Sequence, residues 1–366
     1  MGYLQHMLKV PQSMKELERR AAGALGALFE QVPAIKLEDI KFEPSGSERG
    51  IDILARINVS DRPHVLVCEV KASGQPRHVR MALLELRNYV AHHESEMTPI
   101  LIAPYLSPQA QALCRAHQVG FLDLEGNARL VFDGVFIERM VPHMPSAERR
   151  ELKSLFKPKS AQVLRAMLRD PGRPWRVIGL AEIAGVSLGH VSNVRSGLLD
   201  REWGQVSDKG LFISEPDALL NAWRDAYEPP AGKRMSFYAT LHGSAFEEAA
   251  RQALHAGPTK GQAVFASFSA AHWLAPYGRT GMQYFYADDV GLERLKIGLR
   301  LSSATKGENV VVTMPKDYGL FRDIVEPATG AICTSPIQTY LDLTAAGERG
   351  REAAEHLRRE KLSWPK

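Results

Sequence analysis

The sequence predicts an α/β multidomain protein, and three observations lead to that prediction. The chain has 366 residues, more than one ordinary domain needs. Residues 14–142 alternate between helix-like and strand-like segments, whereas residues 159–220 have mainly helical patterns. Polar, proline-marked stretches follow each of these blocks, and a mixed C-terminal block comes last. We therefore expect an α/β domain at 1–145, a helical domain at 146–226 and an α+β domain at 235–366.

Composition limits the classes of function. The net charge is only +4, so any nucleic-acid contact requires positive charge concentrated in one region. Three cysteines stand far apart without a CxxC pair, which argues against a zinc site or a disulfide framework. The first residues lack the apolar core of a signal peptide, and no apolar run approaches the ~18 residues of a membrane helix. We expect a cytoplasmic protein without a membrane partner.

The first block begins with a helix at 14–32 and continues with a hairpin at 50–73. A second helix ends near His93, a buried strand follows at 99–104, and Ser107-Pro108 begins a third helix. Residues 119–140 add two or three further strands. This order predicts one α/β domain.

Charged residues inside the hairpin strands need an explanation, because burying an unpaired charge costs free energy. With the turn centred on Ser60 and Asp61, Asp52 lies directly opposite Glu69. Lys71 points to the same side as Glu69, since strand side chains alternate between faces. A slip of one residue would separate the two carboxylates, so the prediction of a common site depends on the register.

Two adjacent carboxylates can bind a divalent cation, and Mg²⁺ prefers one or two carboxylates together with waters and phosphate oxygens. Asp52 and Glu69 are therefore candidate metal ligands, and Lys71 could orient or deprotonate a water or neutralise charge on a phosphodiester. Glu16 or Glu18 on the first helix could add a ligand, and the sequence does not choose between them. The alternative is a solvated face with a Glu69–Lys71 pair.

The segment GID, sixteen residues and EVK resembles the PD-(D/E)xK nuclease superfamily, which has the restriction-endonuclease-like fold. The resemblance covers about residues 14–142 and implies that Asp52 and Glu69 bind metal and that Lys71 is the catalytic lysine. The ELRNY segment falls where several members have a Gln-Leu-x-x-Tyr motif, but Glu85 stands in place of the glutamine.

The middle block predicts three short helices, at 161–168, 177–184 and 188–202, followed by a hairpin that turns at Asp208-Lys209-Gly210. Gly185 stands at the turn between the second and third helices, and Ser187 is a candidate N-cap. Together these segments resemble a winged helix-turn-helix domain, whose second helix of the pair enters the major groove of DNA.

That resemblance implies a set of DNA contacts. Residues 148–176 hold nine basic residues against three acidic ones, a concentration that phosphate binding requires. A helical block used for protein contacts, or a solvated linker, is the alternative. The predicted DNA-binding residues are the exposed positions of the third helix, the tip of the wing and two lysines before the first helix: His190, Ser192, Asn193, Arg195, Lys209, Lys153 and Lys157.

The last block contains helix and strand patterns but no assembled catalytic motif. Residues 336–361 predict one long helix. The ending QTYLDL followed by GERGREAAEHL resembles the C-terminal part of AbiEi-like type IV antitoxins, which are abortive-infection regulators. Such regulators join a winged helix to this C-terminal domain and repress their own operon.

Three functional hypotheses follow. The first is a regulator of a toxin–antitoxin or phage-defence system that binds double-stranded DNA, has a toxin encoded nearby and forms a homodimer. The second is a Mg²⁺-dependent DNA endonuclease that the winged helix directs to its target. The third is a non-enzymatic protein whose nuclease-like domain serves only dimerisation.

Overall fold

The computed structural model describes residues 13–42, 51–93, 97–142, 144–255, 261–278, 281–304 and 306–364. They fall into two compact units. Unit 1 comprises the described residues up to Arg149 together with Asp200–Glu202, and unit 2 comprises Arg150–Leu199 and the chain from Trp203 onwards. The prediction of an α/β multidomain protein is confirmed at this level, since each unit combines helices with a seven-stranded sheet.

Unit 1 is built around a sheet whose strands lie in chain order, from β1 to β7. The pairs β3–β4 and β4–β5 are parallel, and the other neighbouring pairs are antiparallel. Its elements are α1 (Met14–Phe29), β1 (Ile35–Phe42), β2 (Ile53–Val59), β3 (Arg62–Val70), α2 (Pro76–Ala91), β4 (Met97–Ala103), α3 (Pro108–Ala116), β5 (Gly120–Asp123), β6 (Ala128–Phe132), β7 (Val135–Arg139) and α4 (Ser146–Leu155), in which the chain passes into unit 2.

The predicted register of the β2–β3 hairpin is confirmed. Val59 pairs with Arg62 and Ile53 pairs with Cys68, as a turn centred on residues 60 and 61 requires. Ser60 and Asp61 both have positive φ values, 47° and 67°, the conformation of a two-residue type I′ turn. This turn continues the right-handed twist of the strands and so fixes which residues stand opposite each other.

The two faces of the unit 1 sheet have separate apolar cores. Helix α1 packs on one face, against a cluster that includes Cys68 and Val70. Helices α2 and α3 pack on the other face, against a cluster that includes Val67. Because strand positions alternate, Glu69 and the following Lys71 belong to the face covered by α2 and α3.

Unit 2 contains a helical part, a two-stranded sheet and a seven-stranded mixed sheet in the order β13-β10-β14-β12-β11-β16-β15. Its elements are α5 (Pro158–Leu168), α6 (Val177–Ala184), α7 (Leu188–Asp200), β8 (Gly204–Ser207), β9 (Gly210–Ile213), α8 (Pro216–Asp225), β10 (Gly232–Tyr238), α9 (Gly243–His255), β11 (Ala263–Phe265), α10 (Ser267–Leu274), β12 (Gln283–Ala287), α11 (Asp289–Gly298), β13 (Ser302–Ser303), β14 (Val310–Pro315), a 3-10 helix (Tyr318–Arg322), β15 (Ile324–Val325), β16 (Cys333–Thr334), α12 (Pro336–Thr344) and α13 (Gly347–Lys361).

One apolar cluster runs through the helical part of unit 2 and its large sheet. It includes Val163 of α5, Leu219 of α8 and Tyr340 of α12, all fully buried. The helical part and the large sheet thus share one apolar core. The domain boundaries at 146–226 and 235–366 stay a prediction.

Two details differ from the sequence-based expectations. The single helix expected over 336–361 is wrong, because α12 ends at Thr344 and α13 begins at Gly347, whose φ of 80° interrupts the helix. The stretch at 227–234, which separates the helical domain from the α+β domain in the sequence-based prediction, overlaps the start of β10, which pairs with β14. The connection between α8 and β10 therefore comprises only residues 226–231.

No single helix within the described ranges has the length and apolarity needed to cross a membrane. The pair α6 and α7 passes that test of length and composition only when both are taken together, and their axes turn by 112° at the break.

Candidate functional sites

The hairpin brings two acidic side chains to the start of β2 and the end of β3. Asp52 lies one residue before β2, at the position that the register sets opposite Glu69. Its Oδ2 accepts a hydrogen bond from the Val70 backbone N–H, 2.6 Å away. This bond holds the Asp52 carboxylate against the β3 end that carries Glu69.

Lys71 lies between two carboxylates. Its Nζ donates to Glu69 Oε1 and to Glu85 Oε2, each at 2.7 Å. Burial lowers the pKa of Lys71, but the hydrogen bonds to Glu69 and Glu85 outweigh that effect, so the pKa lies above its ordinary value. The two carboxylates therefore favour the ammonium form of Lys71, which can neutralise negative charge.

Glu69 is the most buried member of this group, with 5% of its surface exposed. Burial raises the pKa of Glu69 to about 7, the hydrogen bond from Lys71 opposes the rise, and the Asp52 carboxylate adds to it. Its Oε2 atom is buried and has no hydrogen-bond partner in the part of the chain that the structure describes. A buried carboxylate oxygen in this state is a candidate for a cation.

The donor set fits a Mg²⁺ ion held by two carboxylates and waters. Asp52 and Glu69 would be the ligands, and the unpartnered Oε2 of Glu69 is the observation that supports the fit. No cluster of three or more His, Cys, Asp or Glu suited to a metal occurs among the described residues. Helix α1, which carries Glu16 and Glu18, packs on the face of the sheet opposite to Glu69. A third metal ligand from this helix stays a prediction.

The second candidate site is built on α6 and α7. Gly185 caps the C-terminal end of helix α6 and has the left-handed conformation (φ 63°) that a chain reversal needs. Ser187 Oγ accepts from the His190 backbone N–H at 3.4 Å and so caps the start of α7. The 112° turn between the helices lies in the range of helix-turn-helix units. The β8–β9 hairpin follows, with Ser207 paired to Gly210.

The faces of α7 differ sharply in exposure. Val191, Val194 and Leu198 are buried in the core of unit 2. On the outer side, His190, Ser192 and Asn193 are exposed and Arg195 is half-buried. The His190 ring contacts Ser187 Oγ at 2.9 Å. Among the described residues, the side chains of Ser192, Asn193 and Arg195 have no hydrogen-bond or ion-pair partner. The predicted recognition positions thus share a surface available to an external partner.

The basic stretch of 148–176 does not form one continuous surface. The expectation is wrong for Arg165, which is 5% exposed and pairs with Asp323 at 3.7 Å. Lys153 forms an ion pair with Glu228, and Lys159 forms one with Asp317. Lys157 is exposed without such a partner among the described residues, as is Lys209 at the hairpin tip. Counting charges along the sequence therefore overstated what phosphates could reach.

Two acidic residues take part in these ion pairs although the sequence pattern assigned them no role. Glu85 departs from the expected glutamine, yet it contacts Lys71, and its place in the ELRNY segment was the available signal. Asp323 neutralises Arg165 and Arg169 from far along the chain, and no local pattern marks it.

Comparisons with known proteins give three findings. No curated protein matches the chain. Three solved structures align with 28–30% of it and with less than half of their own length. A repair endonuclease from Pyrococcus abyssi has 17% identity and a TM-score of 0.22, covering 28% of this chain and 46% of that one. EndoMS in apo form has 21% identity and a TM-score of 0.21, with 28% and 45% covered, and an EndoMS complex with double-stranded DNA has 21% identity and a TM-score of 0.22, with 30% and 46% covered.

Because these TM-scores are low, the fold of unit 1 is described from its own strand order and register alone.

Unit 2 contains a segment whose sequence matches a known family. Residues 212–363 match the family model described as "Transcriptional regulator, AbiEi antitoxin, Type IV TA system".

Proposed function

We propose that this chain is a DNA-binding transcriptional regulator of the type IV toxin–antitoxin kind. The observation that carries the proposal is the match of residues 212–363 to the AbiEi antitoxin family. The proposed partners are double-stranded DNA and a toxin encoded nearby.

The DNA-binding part of the proposal is supported by α6, α7 and the β8–β9 hairpin. Helix α7 would enter the major groove as the second helix of a winged helix-turn-helix, with its outer side chains on base edges. Asn193 can form two hydrogen bonds to adenine and Arg195 two to guanine. Lys157 and Lys209 would contact phosphates, and Lys153 would do so after leaving Glu228.

A gel-shift assay on the DNA upstream of the gene tests this proposal. The full chain should bind that DNA more tightly than a scrambled duplex, and Asn193→Ala with Arg195→Ala should remove the difference. Arg351→Ala, an exposed position on α13, is the control and should leave the preference intact. Equal binding of the wild-type chain to both duplexes would contradict the proposal.

We also infer a homodimer, because helix-turn-helix proteins usually recognise paired half-sites. Light scattering of the full chain without DNA should give twice the chain mass. A monomer that binds a single half-site as tightly as the full site would contradict the dimer.

A dimer that forms through unit 1 and has no cleavage activity would support the third hypothesis, in which the nuclease-like domain serves only dimerisation.

A second candidate function is a Mg²⁺-dependent endonuclease, and it is favoured by the buried Oε2 of Glu69 beside Asp52. A bound Mg²⁺ would supply an activated water and a positive charge for the phosphodiester. Asp52 and Glu69 would hold the ion, and Lys71, kept cationic by its two carboxylates, would stabilise developing negative charge rather than act as base.

A plasmid-nicking assay with Mg²⁺ or Mn²⁺ tests this candidate. Asp52→Ala and Lys71→Ala should abolish nicking, whereas Glu38→Gln, an exposed carboxylate on β1, should not. A wild-type protein that binds the upstream DNA but never nicks it with either metal would exclude the endonuclease and leave the regulator in place.

A further inference from the structure

The C-terminal segment of unit 2 sends one arginine to the helix-turn-helix. Arg322 is the last residue of the 3-10 helix that packs against α5. Its guanidinium lies over Gly185, so close that a Cβ built on Gly185 would be 2.4 Å from Arg322 Cζ. A residue far along the chain is thereby brought to the turn that orients α7.

Arg322 shares a surface cavity of about 390 Å³ with the start of α7. Ser187 and His190 line this cavity, and Lys159 of α5 lines it too. The turn and the N-terminal end of the second helix lie nearest the DNA when such a pair docks. The cavity is therefore on the side of unit 2 that the proposed function presents to DNA.

The charge of Arg322 is not used inside the protein. Within the described part of the chain it has no hydrogen-bond or ion-pair partner, and it is exposed. The neighbouring acids are already engaged: Asp317 accepts from Gln162 at 3.0 Å and pairs with Lys159 at 3.3 Å, and Asp323 pairs with Arg165 and Arg169. Glu182 lines the cavity as well, but no ion pair joins it to Arg322.

We propose that Arg322 binds a DNA phosphate beside the helix-turn-helix, so that the antitoxin-like segment forms part of the DNA-binding surface. This inference rests on the proposed function and adds to it, because the sequence-based set of DNA contacts ends at Lys209. A guanidinium can form two parallel hydrogen bonds to a phosphate, and its contact would position the duplex without reading its sequence.

A structural role for Arg322 makes a different prediction. Its cation also lies near the C-terminal end of α6, where positive charge is favourable. If it served only that end, its removal would change thermal stability and leave the salt dependence of DNA binding unchanged. The slope of affinity against salt therefore separates the two roles, because each phosphate contact contributes about 0.9 to it.

The test uses the full chain and the upstream DNA, with affinity measured over a series of salt concentrations. Arg322→Gln should reduce the slope of log affinity against log salt by about 0.9 and weaken binding to specific and scrambled duplexes by the same factor. Arg322→Lys keeps the charge and should keep most of the slope. Arg351→Gln, the control, should change neither quantity. Glu182→Gln, which removes a negative charge from the cavity, should strengthen binding.

An unchanged slope for Arg322→Gln in a protein that still binds the upstream DNA would overturn this inference alone. A wild-type chain without preference for the upstream DNA would instead overturn the proposed function, and the inference with it.

Discussion

The polar cluster at the end of β3 and the outer face of α7 use their polar side chains in opposite ways. In the cluster, Lys71 lies between Glu69 and Glu85, so most of the charge is satisfied within the protein. On α7, Asn193 and Arg195 have no partner among the described residues. A charged group needs a partner when folding buries it, because burying an unpaired charge costs free energy. An exposed charged group can remain available for a ligand.

This difference bears on function. Among the described residues of the cluster, Glu69 Oε2 is the buried side-chain oxygen without a hydrogen-bond partner, so the cluster leaves little buried polar capacity for a ligand beyond the Asp52 and Glu69 carboxylates. The α7 face offers several side chains at once, together with Lys157 and Lys209. We therefore expect substitutions in the cluster to act first on stability and substitutions on α7 to act first on binding.

The largest expected effect is on stability, and it contrasts a buried with an exposed basic residue of the stretch 148–176. Arg165→Met should lower the free energy of unfolding of unit 2 by about 3–5 kcal/mol, because it leaves Asp323 buried with a partner removed. Lys157→Ala should change it by less than about 0.5 kcal/mol, as an exposed substitution. Urea unfolding measures both. Equal small effects would mean that Arg165 is not a structural residue.

The next effect concerns the cluster and depends on pH. Lys71→Met should destabilise unit 1 by about 1.5–3 kcal/mol near pH 8, where Glu69 is ionised and loses its charged donor. The loss should be smaller at about pH 5.5, where Glu69 keeps its proton. Lys36→Met, an exposed lysine on β1, is the matched control. A loss that is independent of pH would contradict the pairing of Lys71 with an ionisable Glu69.

The sign of the wild-type pH dependence follows from the same group. The pKa of Glu69 rises from 4.5 to about 7 on folding, so the folded state holds a proton that the unfolded state releases in this range. Glu69 therefore contributes stability that is complete below about pH 4.5 and is lost as the pH rises to about 7. Glu69→Gln should flatten this part of the stability curve, which thermal unfolding across that range can measure.

A smaller effect distinguishes base contacts from phosphate contacts on unit 2. Arg195→Ala should cost about 1–3 kcal/mol of binding free energy on the upstream DNA and little on a scrambled duplex. Fluorescence anisotropy on both duplexes measures the difference. An equal loss on both would reassign Arg195 to a phosphate.

The smallest expected effect is on the salt dependence of DNA binding, at two lysines that the sequence analysis predicted alike as DNA contacts. Lys157→Ala should reduce the salt slope by about 0.9, and Lys153→Ala should reduce it by less, because Lys153 already pairs with Glu228. The salt series that tests Arg322 measures both. A larger effect at Lys153 would mean that its ion pair with Glu228 does not persist in solution.

Local chemistry made part of this arrangement predictable from sequence. The turn at Ser60 and Asp61 fixed the register that sets Asp52 opposite Glu69, and Gly185 marked the end of α6. These features depend on a few adjacent residues, so the pattern contains them. The bounds of α6 were predicted without error for the same reason.

The remainder depended on contacts between distant residues. Nothing near Arg165 indicates that Asp323 will bury it, and nothing near Gly185 indicates that Arg322 will cover it. Glu85 stood at a noted position, but its contact with Lys71 requires the packing of α2 on the sheet. Composition gave the charges, and only tertiary structure assigned them to the interior or to the surface.

Hydrogen exchange of the full chain, with and without the upstream DNA, shows which surface of the protein the duplex covers. DNA should slow exchange in α7, in the β8–β9 hairpin and around Arg322, and should leave exchange in β2, β3 and α2 unchanged. Slower exchange confined to β2, β3 and α2 would contradict this prediction, because the duplex would then lie on the acidic cluster rather than on the helix-turn-helix.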